Sequence, residues 1–178
     1  MKLPIVTVPD KVLMRKARIV TDFGPKLKKL IADMTETLEA CVDPMGVGLA
    51  APQVGVSKRI FIIKPTPKSK TQAFINPEIR LIDHDSTAAS ATDADQEALE
   101  GCLSIPRIWS PVHRPQKITV SWQDERGSHH EKTLNGFDAV IVQHEVDHLD
   151  GCLFTRRAAE QQSPLYEEKN KKLYEIKI

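Results

Sequence analysis

The segment Gln143-His144-Glu145-Val146-Asp147-His148 holds the pattern H-E-x-x-H. Residues four apart share one face of a helix, with Cβ atoms roughly 5–6 Å apart. His144 and His148 can therefore converge on one metal ion, and Glu145, one step round, can reach the ion's open position. A lone histidine in an apolar stretch is usually a core residue bonded to backbone. Two at this spacing, with a glutamate between them, point to metal-assisted hydrolysis with Glu145 as the proton carrier.

Two ligands do not complete a catalytic site, which normally takes three protein ligands and keeps one position open. No histidine follows His148, so the third ligand must come from upstream. Cys102, His84, His113, His129, His130 and several carboxylates are all candidates on spacing alone. Cys102 lies in Glu100-Gly101-Cys102-Leu103-Ser104-Ile105-Pro106, where a thiolate would be a strong ligand and a thiol an ordinary small apolar residue.

The positioning elements are legible in part. Phe137 to Leu149 reads as a helix with Phe137, Val140, Ile141, His144 and His148 along one side. A second, amphipathic helix is expected over Asp22 to Ala40, with Pro25 in its first turn. Cys41 to Gly55 reads as an irregular loop and Arg59 to Ile63 as a short buried strand. Ala73 to Ile82 reads as a strand that Asn76-Pro77 demotes to an edge or a break. Lys117 to Gln123 and Ser128 to Leu134 flank a turn and predict a hairpin. His84 to Gln96 is polar and aperiodic and reads as an exposed, mobile loop. The tail 158–178 is charged, with a short helix expected near Gln161 to Leu173. The fold class is α+β, a single domain over 1–178, with small antiparallel or mixed sheets packed around a central metal-binding helix.

Composition narrows the partners. The 25 basic and 24 acidic residues leave a formal charge near +1, so no broad field recruits DNA or anionic lipid. No apolar run approaches a membrane span. Cys41, Cys102 and Cys152 form no disulfide framework, and Met1 to Asp10 resembles neither a signal nor a transit segment. A reducing, cytoplasmic setting is expected.

Three segments together resemble peptide deformylase, in the order that family shows: Gly46-Val47-Gly48-Leu49-Ala50-Ala51-Pro52-Gln53, Glu100-Gly101-Cys102-Leu103-Ser104, and Gln143 to His148. The similarity runs from about Val8 to Phe154. It implies Cys102 as the third ligand beside His144 and His148, with water in the fourth position. It implies one divalent ion per chain, Fe(2+) foremost, with Zn(2+), Ni(2+) or Co(2+) compatible with the same donors. The implied reaction is hydrolysis of the N-formyl group of formylmethionyl nascent peptides, with Glu145 as general base and acid. Gln53 and the Leu103 backbone N–H would stabilise the oxyanion. Gly46 and Gly48 would line an extended substrate, and Phe137, Val140 and Ile141 with Glu100 of the second motif would surround its methionine side chain. Gln143 and Asp147 would support the ligands from behind, and Arg114 would pair with an acid such as Glu100. Trp109 either shapes the entrance or simply packs, and Asp138 stands where an apolar residue is common. A terminal helix touching the ribosome is a further implication for the charged tail. The rival readings are an H-E-x-x-H protease cutting internal bonds and a metal-stabilised binding protein without turnover.

Overall fold

The computed structural model describes residues 1–81 and 99–176. The expected loop from His84 to Gln96 lies outside them. Helix α1 spans Pro25–Glu39, α2 Gly136–Leu149 and α3 Phe154–Glu160. Strands β1 Gly48–Ala50, β2 Ile60–Ile63, β3 Gln72–Leu81, β6 Lys117–Gln123 and β7 His129–Asn135 form one sheet in the order β1-β2-β3-β6-β7. Strands β4 Leu99–Cys102, β5 Ile105–Pro111, β8 Leu165–Lys169 and β9 Lys172–Ile176 form the other in chain order. Every pairing between these strands is antiparallel. The class is the expected α+β.

Strand β2 shows why the first sheet is placed as it is. Its four residues are all buried, because successive side chains point to opposite faces and both faces are covered. Ile60 and Ile62 pack with Leu27, Ile31, Met34 and Leu38 of α1. Phe61 and Ile63 pack with Ala139, Ile141 and Val142 of α2. The Phe61 and Phe74 rings stack with centroids 4.7 Å apart, and Trp122 lies 4.7 Å from Phe74, extending the aromatic layer under α2. Helix α2 is buried on more than one side: Ala139, Val142 and Leu149 lie in the core, and so do Gln143, Glu145, Asp147 and His148. Polar side chains held this way need partners or a function.

Two expectations are corrected and one is narrowed. The glycine-rich stretch 41–55 is not wholly irregular: it holds β1 and a 3-10 turn, Ala51–Val54. Strand β3 is no edge, since it lies between β2 and β6, and of the two expected alternatives the break is the one present. The strand takes the proline at a register shift between Ile75 and Glu78, where Asn76 adopts φ 50°. The Asn76 side chain fixes this bulge by donating to the Val20 carbonyl (2.9 Å) and accepting from the Val20 N–H (2.8 Å). Finally, the tail forms no helix over 161–173. Helix α3 ends at Glu160 and the β8–β9 hairpin follows.

Candidate metal centre and active site

Helix α2 begins directly at the end of β7, where Gly136 adopts φ 56° and turns the chain without a linker. This aims the middle of the helix between β1 of the first sheet and β4 of the second. The third donor, which spacing alone left open, meets the two histidines here. Cys102 Sγ, one nitrogen of His144 and one of His148 all lie within 4.8 Å of one another, and Sγ is 3.1 Å from His148 Nε2. Among the described residues this is the only such group of three His, Cys or acidic side chains. His113, His129 and His130 are elsewhere: His130 pairs with Asp124 at 3.0 Å, and the backbone of His113 binds Gln161. His84 lies outside the described residues.

The surroundings orient His144, whereas the buried Nδ1 of His148 has no hydrogen-bond partner. His144 Nδ1 is 2.5 Å from Glu100 Oε1, which leaves Nε2 for the cluster. Arg114 grips Glu100 with Nε and Nη2, both at 2.7 Å, and reaches Asp147 Oδ2 with Nη1 at 2.9 Å. Burial opposes charge on Glu100, but the hydrogen bonds with Arg114 and His144 outweigh it and bring its carboxyl down to about 2. Burial, with His144 nearby, holds His148 well below the usual imidazole value, in the neutral form that ligates metal. On His144, burial is outweighed by hydrogen bonds to Cys102 and Glu100, which push its pKa well up. The thiol-and-imidazole donor set fits a divalent cation.

Glu145 is the clearest chemical signal. It is 3 % exposed, and its Oε2 has no hydrogen-bond partner. Burial pushes its carboxyl up to about 7, close to the range a proton carrier needs at neutral pH. Gly48 makes room for it: a Cβ there would lie 2.8 Å from the Glu145 carboxyl carbon. We expect Gly48→Ala to displace that carboxylate and lower kcat by about 10²-fold, the lower end for loss of general acid–base catalysis. Metal content should stay that of the parent, as a metal assay beside the rate measurement would show.

The other expected residues fall around this centre. Gln53 is buried; its Oε1 accepts from the Ala50 N–H (2.8 Å), and this turns Nε2 toward Cys102 Sγ at 3.5 Å. Leu103 follows Cys102 at the turn between β4 and β5. Gly46 lies just before β1 beside Leu38 and Cys41. Glu100 is engaged by Arg114 and His144 as described. Ile141 is buried in the main core, Val140 is half-buried, and Phe137 is 58 % exposed at the first turn of α2. Gln143 donates to the carbonyls of Pro115 (2.8 Å) and Ala139 (2.9 Å). Trp109 lies over Gly101 and donates to Glu168 at 3.0 Å, so its indole is tied into the second sheet. Sequence reasoning missed the Glu100–His144 contact and Arg157, which donates to Asp147 at 2.7 and 3.2 Å. Neither has a local sequence signal: Glu100 and His144 are 44 residues apart, and Arg157 meets Asp147 only through the angle at which α3 follows α2.

The sequence profile of the polypeptide deformylase family matches residues 2–164. The chain belongs to that family. It is 40% identical to a peptide deformylase of Zymomonas mobilis over 161 residues, covering 85% of this chain and 83% of that one. A peptide deformylase of Desulfotalea psychrophila is 36% identical over 176 residues, covering 97% and 96%. The crystal structure of peptide deformylase from Thermotoga maritima superposes with a TM-score of 0.75 at 40% identity, covering 88% of this chain and 97% of that one. Deformylases are metal-dependent hydrolases that remove the N-formyl group from newly made peptides, and this chain is such a hydrolase. The protease and non-catalytic readings are set aside by this membership.

Proposed function

We propose that Cys102, His144 and His148 hold the ion and that Glu145 moves the proton in formyl hydrolysis. The observation that carries this reading is the buried, unpartnered Glu145 carboxylate beside the three donors. Bound there, a divalent ion supplies Lewis acidity that lets a water attack at neutral pH. Glu145 takes that water's proton and delivers it to the departing amine. Gln53 Nε2, already held toward the centre by Ala50, and the Leu103 N–H donate to the oxygen on which negative charge develops. The glycine-flanked edge strand β1 offers main-chain groups to an extended peptide, with Gly46 and Gly48 permitting close approach. The methionine side chain of the substrate meets α2 on its Phe137–Val140 side, with Ile141 behind them as support. Ferrous iron is the resident ion on this reading, and the donor set also suits zinc, nickel and cobalt. Residues 1–178 act as one catalytic unit.

Release of formate from a formylmethionyl peptide, set beside its acetylated and internally cleavable counterparts, tests the reaction. Formate release with the other two left intact is expected. Cleavage of the internal bond would overturn it.

A cytoplasmic location is part of the proposal. The three free cysteines support it, and among the described residues no helix is long and apolar enough to cross a membrane. A transient contact with the ribosome is assigned to the tail, through Lys169, Lys171 and Lys172 around the β8–β9 turn rather than through a helix. Co-sedimentation with ribosomes should weaken with salt and with Lys171→Glu plus Lys172→Glu, and binding indifferent to both would remove this assignment.

A further inference from the structure

The hydrogen-bond chain behind the metal donors does not end at Glu100. Arg114 is one guanidinium between two carboxylates, and its side chain and those of Glu100 and Asp147 are 6%, 9% and 10% exposed. A single cation cannot satisfy both acids, and an uncompensated buried charge is costly. The second cation comes from α3. Arg157 forks onto Asp147, Nη2 to Oδ1 at 2.7 Å and Nε to Oδ2 at 3.2 Å. These two carboxylates then face two guanidinium groups, with the exposed Glu160 also 3.3 Å from Arg157 Nη1, and Arg114 is left free to hold Glu100 with two donors at 2.7 Å.

We infer that Arg157, outside all three motifs, is a positioning residue for the metal donor His144. By neutralising Asp147 it keeps Arg114 committed to Glu100, and Glu100 fixes His144 through Nδ1. His144 and Asp147 stand three residues apart on α2, so the chain His144–Glu100–Arg114–Asp147 closes on one helix turn, and Arg157 sets its balance from outside. Without Arg157, Asp147 competes for Arg114 and the grip on Glu100 loosens. The residue can be replaced without emptying the core, since its own side chain is 41% exposed and α3 is anchored by buried Phe154 and Ala158. The inference rests on Cys102, His144 and His148 being the metal donors.

The test reads metal retention rather than turnover. Wild type, Arg157→Met, Arg157→Gln and Arg157→Lys are loaded with Co(2+). Its transfer to a chelator is timed, the visible cobalt absorption is recorded, and the thermal unfolding of each metal-free protein is followed. Arg157→Met and Arg157→Gln should release cobalt about tenfold faster, the lower end for partners behind metal ligands, with altered absorption. Arg157→Lys should fall between, because an ammonium restores the charge but not the fork. In a Glu100→Gln background, Arg157→Met should add little, since the route through Glu100 is already cut. Wild-type release and absorption in the Met and Gln variants would overturn the inference. So would an equal acceleration with and without Glu100, which would leave Arg157 only a tether for α3. A wild type that takes up no cobalt would remove the donor assignment itself.

Discussion

Glu145→Gln should bind metal as the parent does and yet lose about 10²–10⁴-fold in kcat, the range for removing a positioned proton carrier. Three features of the site make this substitution sharp. Gln matches Glu in shape, so the close approach to Gly48 is kept, whereas a larger or branched side chain would push β1 away. Glu145 is no member of the donor group, so Cys102, His144 and His148 remain to hold the ion. The Oε2 atom has no hydrogen-bond partner to lose, so the fold gives up little when its charge is removed. Metal content, thermal midpoint and formate release measured on one preparation separate these effects. Turnover at the parental rate with the glutamine in place would show that another group moves the proton, and the mechanism would fail at its central step.

The contrast between what the chain announces and what it conceals follows from the range of each interaction. His144, Glu145 and His148 were legible because helical periodicity puts them on a predictable surface whatever the rest of the chain does. Strand β2 was legible because four consecutive apolar residues bounded by turns leave little choice. Cys102 was not selected by spacing, since its meeting with α2 depends on how β4 lies against that helix, and only resemblance to a family singled it out. Strand β1 is three residues long, too short to show any alternation. At Asn76-Pro77 the proline left an edge or a break open, and the structure has the break: side-chain bonds from Asn76 stabilise a bulge that admits the proline to an interior strand. The C-terminal hairpin carried a local cue that charge obscured: Asn170 and Lys171 adopt φ 53° and 61°, the left-handed pair of a tight hairpin turn. Its flanks hold Leu165, Tyr166, Leu173 and Tyr174, and β5 supplies the sheet, with Trp109 opposite Tyr166. In the Glu100–Arg114–Asp147–Arg157 network the resemblance pointed to the Glu100–Arg114 pair and to Asp147, but Arg157 lies outside all three motifs and only the packing of α3 against α2 brings it in.

Cys102→Ala should abolish stoichiometric metal binding. Removing a partner behind a ligand typically costs 10–100-fold in affinity, so removing the ligand itself should exceed about 100-fold. The side chain is 7% exposed, and its sulfur accepts weak bonds from Gln53 Nε2 at 3.5 Å and the Ser104 N–H at 3.4 Å. Alanine therefore leaves a small gap and few stranded donors, and the metal-free variant should still fold. Folding and binding are linked, which gives a readout independent of catalysis. A ligand present at 100 times its Kd stabilises the native state by about 2.7 kcal/mol. Wild type unfolding should accordingly shift to lower temperature when a chelator is added, and Cys102→Ala should unfold at one temperature with or without it. Protein prepared without oxygen and analysed for metal should carry one ion per chain in the wild type, with formate release declining as iron oxidises, and almost none in the variant. His144 and His148 alone offer an ion two nitrogens from adjacent turns of one helix, too few to hold it against a chelator. A Cys102→Ala protein that kept one ion per chain and its chelator-sensitive midpoint would place the metal in a different set of donors.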